Sequence, residues 1–151
     1  MAFCLTEIAK SSGSVRNVIS VYDVSITNSI LDIYIPSSKT DQYGNGCTVA
    51  IHAQSDQNMC PLKATQAYLN VRPPTHGPLF CHFDGSDLSR YQVVAILKKS
   101  LLFAGIDCSR FSSHSFRIGA ATNLYMVGLP DDLIMRMGRW ISSDYRGYIR
   151  S

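Results

Sequence analysis

The sequence predicts an α+β fold in which a small antiparallel β-sheet of about three strands precedes a mainly helical bundle. Two patterns indicate this order. Before about position 52, apolar residues alternate with polar ones along the chain, as they do in strands that are buried on one face. After Pro61, apolar residues recur three and four positions apart, which is typical of helices packed against a core.

Three segments form the predicted sheet. The first covers 17–25, where Val, Ile and Tyr are frequent. The other two are indicated by alternating apolar residues, which are Leu31, Ile33 and Ile35 in the second strand and Val49 and Ile51 in the third. The polar, glycine-rich segment 37–46 lies between them, and its Asn45-Gly46 pair predicts a hairpin turn. We therefore expect Lys39 to lie at the tip of a β-hairpin.

Proline, glycine and serine residues mark the ends of five predicted helices. Pro61 suits the first turn of a helix, and Gly105 suits the position just after one. Ser112 or Ser113 is expected to cap the third helix. The helices are expected from Pro61 to a stop at Pro73-Pro74, over 89–104, from the serine cap to about 126, from Pro130 or Asp131 to about 138, and over 144–150.

Composition limits the class of protein. The 151 residues are 46% hydrophobic and 17% charged, which suits one folded domain and excludes a disordered tail. No apolar run approaches the ~20 residues that span a bilayer, so no membrane partner is expected. The five cysteines are odd in number and form no Cys-x-x-Cys pair. We therefore expect free thiols in an intracellular, reducing compartment, with neither a metal site nor a disulfide framework.

Positive charge is concentrated toward the C-terminal end. The chain from 110 to 151 has six arginines, three aspartates and no lysine. Arginine presents a planar fork of donors, which suits bidentate phosphate recognition better than the ammonium group of lysine does. A solvated basic face and a phosphate-binding surface are both consistent with this pattern. The second interpretation assigns phosphate contacts to Arg110, Arg139, Arg146 and Arg150.

The strongest local pattern is His114-Ser115-Phe116-Arg117. On a helix, positions i and i+3 share a face, so one turn presents an imidazole and a guanidinium together. Such a pair can hold a phosphate, because arginine donates several hydrogen bonds and histidine donates one or shuttles a proton. Taken alone, the pattern also fits a partly buried structural histidine beside a surface arginine.

The wider sequence contains five blocks that occur in a fixed order. They are Ser-Lys-Thr-Asp from position 38, Gly-Pro-Leu-Phe from 77, His-Ser-Phe-Arg-Ile-Gly-Ala-Ala-Thr from 114, Gly-Arg-Trp from 138 and Tyr-Arg-Gly-Tyr-Ile-Arg from 145. In this order they resemble the catalytic domain of tyrosine recombinases (phage integrases), and most closely its eukaryotic Crypton and DIRS-type mobile-element branch. The resemblance covers nearly the whole chain. It implies the integrase-like fold of DNA breaking-rejoining enzymes.

The resemblance also implies a reaction and the residues that perform it. The reaction is DNA strand cleavage and rejoining through a 3′-phosphotyrosine, a chemistry that requires no cofactor. Arg117 and His114 match the family's phosphate-binding pair, and Lys39 matches its general acid. Trp140 matches the second His/Trp position, although Arg139 follows the glycine directly and is the alternative.

Two tyrosines near the end of the chain compete for the role of nucleophile. Tyr148 follows Gly138 by ten residues, as the family's nucleophile follows the corresponding glycine, so the resemblance implies Tyr148. Tyr145 is the rival. The resemblance gives it a packing role, because the family often has an aromatic residue three positions before the nucleophile.

The chain departs from the family pattern at its start. The family's first catalytic arginine precedes a glutamate by three positions, and Glu7 is preceded there by Cys4. Arg16 is the nearest arginine and does not fit the pattern. We expect residues 1–151 to be a catalytic domain truncated at both ends. The alternative is a catalytically inactive, DNA-binding remnant of a mobile-element recombinase.

The resemblance implies partners and a location as well. Duplex DNA is the expected substrate, and self-association on DNA into a synaptic multimer is expected. An intracellular protein follows from the cysteines, and a nuclear one if the host is eukaryotic.

Overall fold

The computed structural model describes residues 18–37, 45–140 and 142–150. These residues fall into two compact units, one ending at Arg90 and the other beginning at Tyr91. The expectations for Cys4, Glu7, Arg16 and the hairpin tip with Lys39 fall on residues outside the described ranges.

The first unit contains a three-stranded antiparallel sheet in the order β1-β2-β3. The strands are β1 (Val24–Thr27), β2 (Ile30–Ile35) and β3 (Cys47–His52). Ile33 lies opposite Val24 on one side and Val49 on the other. Leu31, Ile33 and Ile35 are all buried, so the alternation in the sequence does mark the core face of the central strand.

The first predicted strand, over 17–25, is wrong for most of its length. A 3-10 turn (Val21–Asp23) precedes β1, which begins at Val24. The cause is a pair of side-chain hydrogen bonds. The Ser20 hydroxyl accepts from the Tyr22 amide at 3.3 Å, and the Asp23 carboxylate accepts from the Ser20 amide at 2.7 Å. Such local bonds compete with strand pairing for backbone groups.

The described part of the first unit also contains one α-helix. Helix α1 (Pro61–Val71) begins at Pro61, as predicted, and ends before the two prolines. Arg72 follows it, and its guanidinium donates to four backbone carbonyls at 2.8–2.9 Å, those of Pro73, Thr75, Pro78 and Leu79. This arginine therefore has a structural role, because its donors hold the connection that follows the helix.

The second unit is helical. Its elements are α2 (Arg90–Phe103), a 3-10 turn (Cys108–Arg110), α3 (Ser113–Met126), α4 (Asp131–Gly138) and a 3-10 helix, η3 (Ser143–Tyr148). Helix α3 packs against both α4 and η3. The side chains with least exposure are one from each of these three elements, namely Ala121, Ile134 and Tyr145. The predicted α+β class is therefore confirmed, with the sheet first and the helices after it.

Two helix ends refine the predictions. Ser112 is the cap of α3, because its hydroxyl accepts from the His114 amide at 3.2 Å. The last predicted helix, over 144–150, is present but ends earlier than predicted. It is the 3-10 helix η3, and it ends at Tyr148 because Ile149 is extended with φ −69° and ψ 133°.

Two glycines of the α3 region allow a matched test of backbone conformation. A Cβ would meet nothing within 4 Å at either Gly119 or Gly128, but only Gly128 has a positive φ, +76°. We predict that Gly119→Ala stabilises the protein by about 0.5–1 kcal/mol, and that Gly128→Ala destabilises it by about 1–2 kcal/mol. Urea unfolding of the two variants beside wild type measures both effects. Equal shifts in the two variants would contradict this account.

Candidate active site

Helix α3 presents the first two candidate residues. His114 lies in its first turn and is exposed, while Arg117 lies one turn later and is half-buried. The two residues share a face because three positions correspond to nearly one helical turn. The capping serine fixes where the helix begins and therefore where this face points.

The end of helix α4 presents the third. Arg139 terminates the helix in a left-handed conformation with φ 54° and ψ 44°. The Trp140 amide then donates to the Met135 carbonyl at 2.9 Å, which turns the chain back along the helix. The indole ring consequently lies on Gly138, where a Cβ would overlap it. The tryptophan can occupy this position only because residue 138 has no side chain.

Arg117 is held between the backbone and the indole. Its Nη2 donates to the Gly138 carbonyl at 2.9 Å, and its Cζ lies 4.4 Å from the centroid of the Trp140 ring. Stacking of this kind contributes about 0.5–2 kcal/mol, and more when water is excluded. A guanidinium has five N–H donors, and the Gly138 carbonyl uses one of them. The arginine is therefore pre-oriented and retains donors for an anion.

A cavity of about 180 Å³ adjoins the stacked arginine. It lies within the second unit and is lined by Arg117, Ala120, Asn123, Leu124, Met137, Gly138 and Trp140. The Arg117 side chain therefore borders open space as well as the indole.

Tyr148 completes the cluster from η3. Its ring centroid lies 5.1 Å from that of His114 and 5.8 Å from that of Trp140. Both distances fall in the range of aromatic contact. The side chain is half-buried, so it is both packed and partly accessible. The structure thus brings together four of the five residues predicted to be catalytic: His114, Arg117, Trp140 and Tyr148.

Tyr145 occupies a different environment three residues earlier. It has no exposed surface, and its ring lies 5.9 Å from Trp140. Among the described residues its hydroxyl has no hydrogen bond of good geometry, but the Asp131 carboxylate is near enough to raise the pKa of Tyr145, and burial adds to the rise. The same contact lowers the pKa of Asp131. The Tyr145 hydroxyl is the largest cause of this lowering, and the Arg146 guanidinium is the next. Arg146 and Asp131 form an ion pair.

The four arginines predicted to contact phosphates differ in their surroundings. Arg110 is exposed in the 3-10 turn before α3, and Arg139 is half-buried at the end of α4. Arg146 is exposed but paired with Asp131. Arg150 is exposed, and its Nη1 donates to the carbonyls of Gly147 at 2.9 Å and Ile149 at 3.2 Å. All four lie in the second unit.

Three residues of the site carried no predicted role. Gly138 supplies the carbonyl and the space that orient Arg117 and Trp140. Asp131 holds Arg146, and Thr122 bonds the backbone on both sides of Ile149. Gly138 and Thr122 both stand inside the sequence blocks that resemble the family, so their position was a usable signal. Asp131 had no such signal.

Several other features follow from the described ranges alone. No group of three or more His, Cys, Asp or Glu side chains in them is arranged to hold a metal ion. The cysteines within these ranges are free thiols. None of the helices there combines the length and apolar character needed to cross a membrane.

The chain is similar to known recombinases. The model of the phage integrase family matches residues 18–146. An integrase/recombinase XerD homologue from Selenomonas ruminantium is 30% identical over 123 residues, which cover 78% of this chain and 36% of that protein. The chain therefore spans about a third of the length of this relative.

Two crystal structures of the XerH site-specific recombinase show the same fold. One is a pre-cleavage complex with the difH substrate, and the other is a post-cleavage complex with palindromic difH. Both give a TM-score of 0.64, with identities of 19% and 20%. The matches cover 97% and 95% of this chain, and 41% and 39% of those chains.

The contact between Gly138 and the indole predicts the effect of adding one methyl group. Gly138→Ala should displace the Trp140 ring and release Arg117, because the new Cβ overlaps the indole. We expect a loss of about 1–3 kcal/mol of stability, as in other overpacked sites. Trp140 is the only tryptophan, so its fluorescence emission reports the displacement directly.

Gly147→Ala is the matched control for this change, since a Cβ there meets nothing within 4 Å. It should leave the emission spectrum of Trp140 as in wild type. An unchanged spectrum in Gly138→Ala would contradict the proposed stacking.

The lowered pKa of Asp131 predicts a pH-dependent stability. A carboxyl whose pKa is lower in the folded state stabilises the protein above its unfolded pKa of about 4, and this stabilisation is lost as the pH falls through the folded pKa. Asp131→Asn should therefore be less stable than wild type at pH 7, and the difference should shrink below about pH 4. Urea unfolding across this range measures it.

Asp132→Asn serves as the control, because Asp132 occupies the same first turn of α4 and shares its helix dipole. A stability difference for Asp131→Asn that is independent of pH, or equal to that of Asp132→Asn, would count against the interaction with Tyr145 and Arg146.

Proposed function

Because the chain belongs to the phage integrase family of tyrosine recombinases, we propose that it cleaves and rejoins DNA strands through a covalent 3′-phosphotyrosine on Tyr148. In this proposal residues 1–151 belong to the catalytic domain, and duplex DNA is the substrate.

One observation carries the proposal. A half-buried tyrosine ring lies within 6 Å of both an imidazole and an indole, and the indole stacks on an arginine. Phosphoryl transfer needs donors that face the non-bridging oxygens and a nucleophile close to them. His114, Arg117 and Tyr148 supply these groups from two packed elements, α3 and η3.

The proposed reaction conserves the energy of the phosphodiester bond. The Tyr148 hydroxyl loses its proton to a base as its oxygen attacks phosphorus, a bond to the 3′-phosphate forms, and the bond to the 5′-oxygen breaks. The 5′-oxygen leaves as a hydroxyl after it gains a proton. A 5′-hydroxyl of another strand then reverses the step and regenerates the free tyrosine. The two steps balance without a nucleotide cofactor.

Each candidate catalytic residue has a proposed role in the reaction. Negative charge develops on the non-bridging oxygens, and the preoriented donors of Arg117 would stabilise it with little reorganisation. His114 would donate a further hydrogen bond. Trp140 would hold the guanidinium in place, with its indole N–H as a further donor. Lys39 is proposed as the general acid that protonates the leaving 5′-oxygen.

Four arginines outside the catalytic cluster are proposed to hold the DNA backbone. Arg110, Arg139 and Arg150 would contact phosphates near the cleaved bond, and Arg146 would do so in exchange for its ion pair with Asp131. We further propose that the chain acts in a synaptic multimer on DNA. The His-Ser-Phe-Arg-Ile-Gly-Ala-Ala-Thr block favours a Crypton or DIRS-type element as the source, and for a eukaryotic host the nucleus as the location.

A covalent trapping experiment tests the nucleophile. The substrate is a pool of labelled duplexes with a randomised centre and a nick, so that the short cleaved strand diffuses away and the intermediate accumulates. Tyr148→Phe should abolish the labelled adduct on a denaturing gel, whereas Tyr145→Phe should retain some of it. Arg117→Ala should slow adduct formation about 100–1,000-fold, as removal of a transition-state donor does elsewhere. An adduct that depends on Tyr145 would overturn the assignment.

A second candidate function is DNA binding without catalysis. The observation that favours it is Cys4, which stands where the family resemblance expects an arginine. Both candidates bind duplex DNA with an affinity that falls steeply as salt rises, so binding does not separate them. The adduct does. If only Cys4→Arg forms an adduct, the wild-type chain is the inactive DNA-binding form and the substitution restores its active site. If neither form does, the DNA-binding candidate stands and the assigned active site is wrong.

A further inference from the structure

Thr122 links helix α3 to the chain that follows Tyr148. Its Oγ1 donates to the Tyr148 carbonyl at 3.3 Å and accepts from the Arg150 amide at 3.1 Å. The two hydrogen bonds lie on either side of Ile149. One hydroxyl therefore fixes the backbone at the point where η3 ends.

The end of η3 creates the need for these bonds. Ile149 is extended, so the Tyr148 carbonyl and the Arg150 amide cannot continue the helical pattern. Backbone groups at a helix end require partners from elsewhere, because leaving them unpaired is costly. A hydroxyl can donate and accept at once, so a single threonine satisfies both groups.

Thr122 lies on the helix that carries two of the candidate catalytic residues. These are His114 and Arg117, and Thr122 lies five residues beyond the arginine. The helix that presents the phosphate-binding pair therefore also holds the backbone of Tyr148. Ring contacts place the Tyr148 side chain near His114, and the hydrogen bond to its carbonyl fixes the same residue through its main chain.

We propose that Thr122 is a positioning residue for Tyr148, holding the nucleophile in register with Arg117 and His114. The inference rests on the proposed function and assigns Thr122 no contact with DNA. A nucleophile displaced by about 1 Å can lose about 100-fold in rate. Loss of the Thr122 hydroxyl should therefore slow the chemical step and leave DNA binding intact.

Two substitutions separate the hydroxyl from the rest of the side chain. Thr122→Val keeps the shape and removes both hydrogen bonds, while Thr122→Ser keeps the hydroxyl. With the trapping substrate at saturating concentration, Thr122→Val should form the Tyr148 adduct about 10–100-fold more slowly than wild type, and Thr122→Ser should restore most of the rate. The DNA dissociation constant should stay at the wild-type value in both. Thr65→Val, on α1 of the other unit, controls for the general effect of replacing a threonine by a valine.

Amide hydrogen exchange measured by NMR tests the contact independently of activity. The Arg150 amide should exchange faster in Thr122→Val and remain protected in Thr122→Ser. A wild-type rate of adduct formation in Thr122→Val, equal losses in both variants, or weaker DNA binding without a slower step would each overturn the inference while leaving the proposed function intact. If no form of the chain gives an adduct, Cys4→Arg included, the proposed function fails and the inference fails with it.

Discussion

The absence of a side chain at Gly138 is the constraint on which the rest of the site depends. The indole of Trp140 occupies the space that a Cβ would take, and from there it contacts Arg117, Tyr145 and Tyr148. The Gly138 carbonyl accepts from the same arginine. Gly138 thus couples α3, α4 and η3. Its small size makes room for the Trp140 ring, and its carbonyl accepts a hydrogen bond from Arg117.

Burial distinguishes two tyrosines that are only three residues apart. Tyr145 is enclosed beside Asp131, whose carboxylate raises the pKa of the Tyr145 hydroxyl, and its ring packs η3 into the core. Tyr148 lies half-buried against a histidine. Ion pairing of Asp131 with Arg146 keeps a negative charge next to Tyr145 and at the start of α4, where the helix dipole favours it. This division of environments supports the assignment of Tyr148 as nucleophile.

Local patterns were predictable and distant contacts were not. The burial of Leu31, Ile33 and Ile35 followed from strand periodicity, and the shared face of His114 and Arg117 followed from helix geometry. The strand over 17–25 was wrong because Ser20 and Asp23 bond the backbone locally, a competition that residue frequencies do not reveal. The contact of Arg117 with Gly138 joins residues 21 positions apart. Only the packing of α3 on α4 brings them together, so spacing alone could not show it.

The left-handed backbone of Arg139 has a consequence for how this position can vary. Glycine and asparagine adopt such a conformation at low cost, whereas β-branched residues adopt it poorly. The backbone conformation at 139 therefore limits which residues can stand there without destabilising the fold, whatever the side chain contributes. An arginine that persists where glycine would relieve the backbone must be retained for its guanidinium. Comparing how often related sequences keep arginine or change to glycine at this position would thus measure selection on the side chain, separated from selection on the backbone.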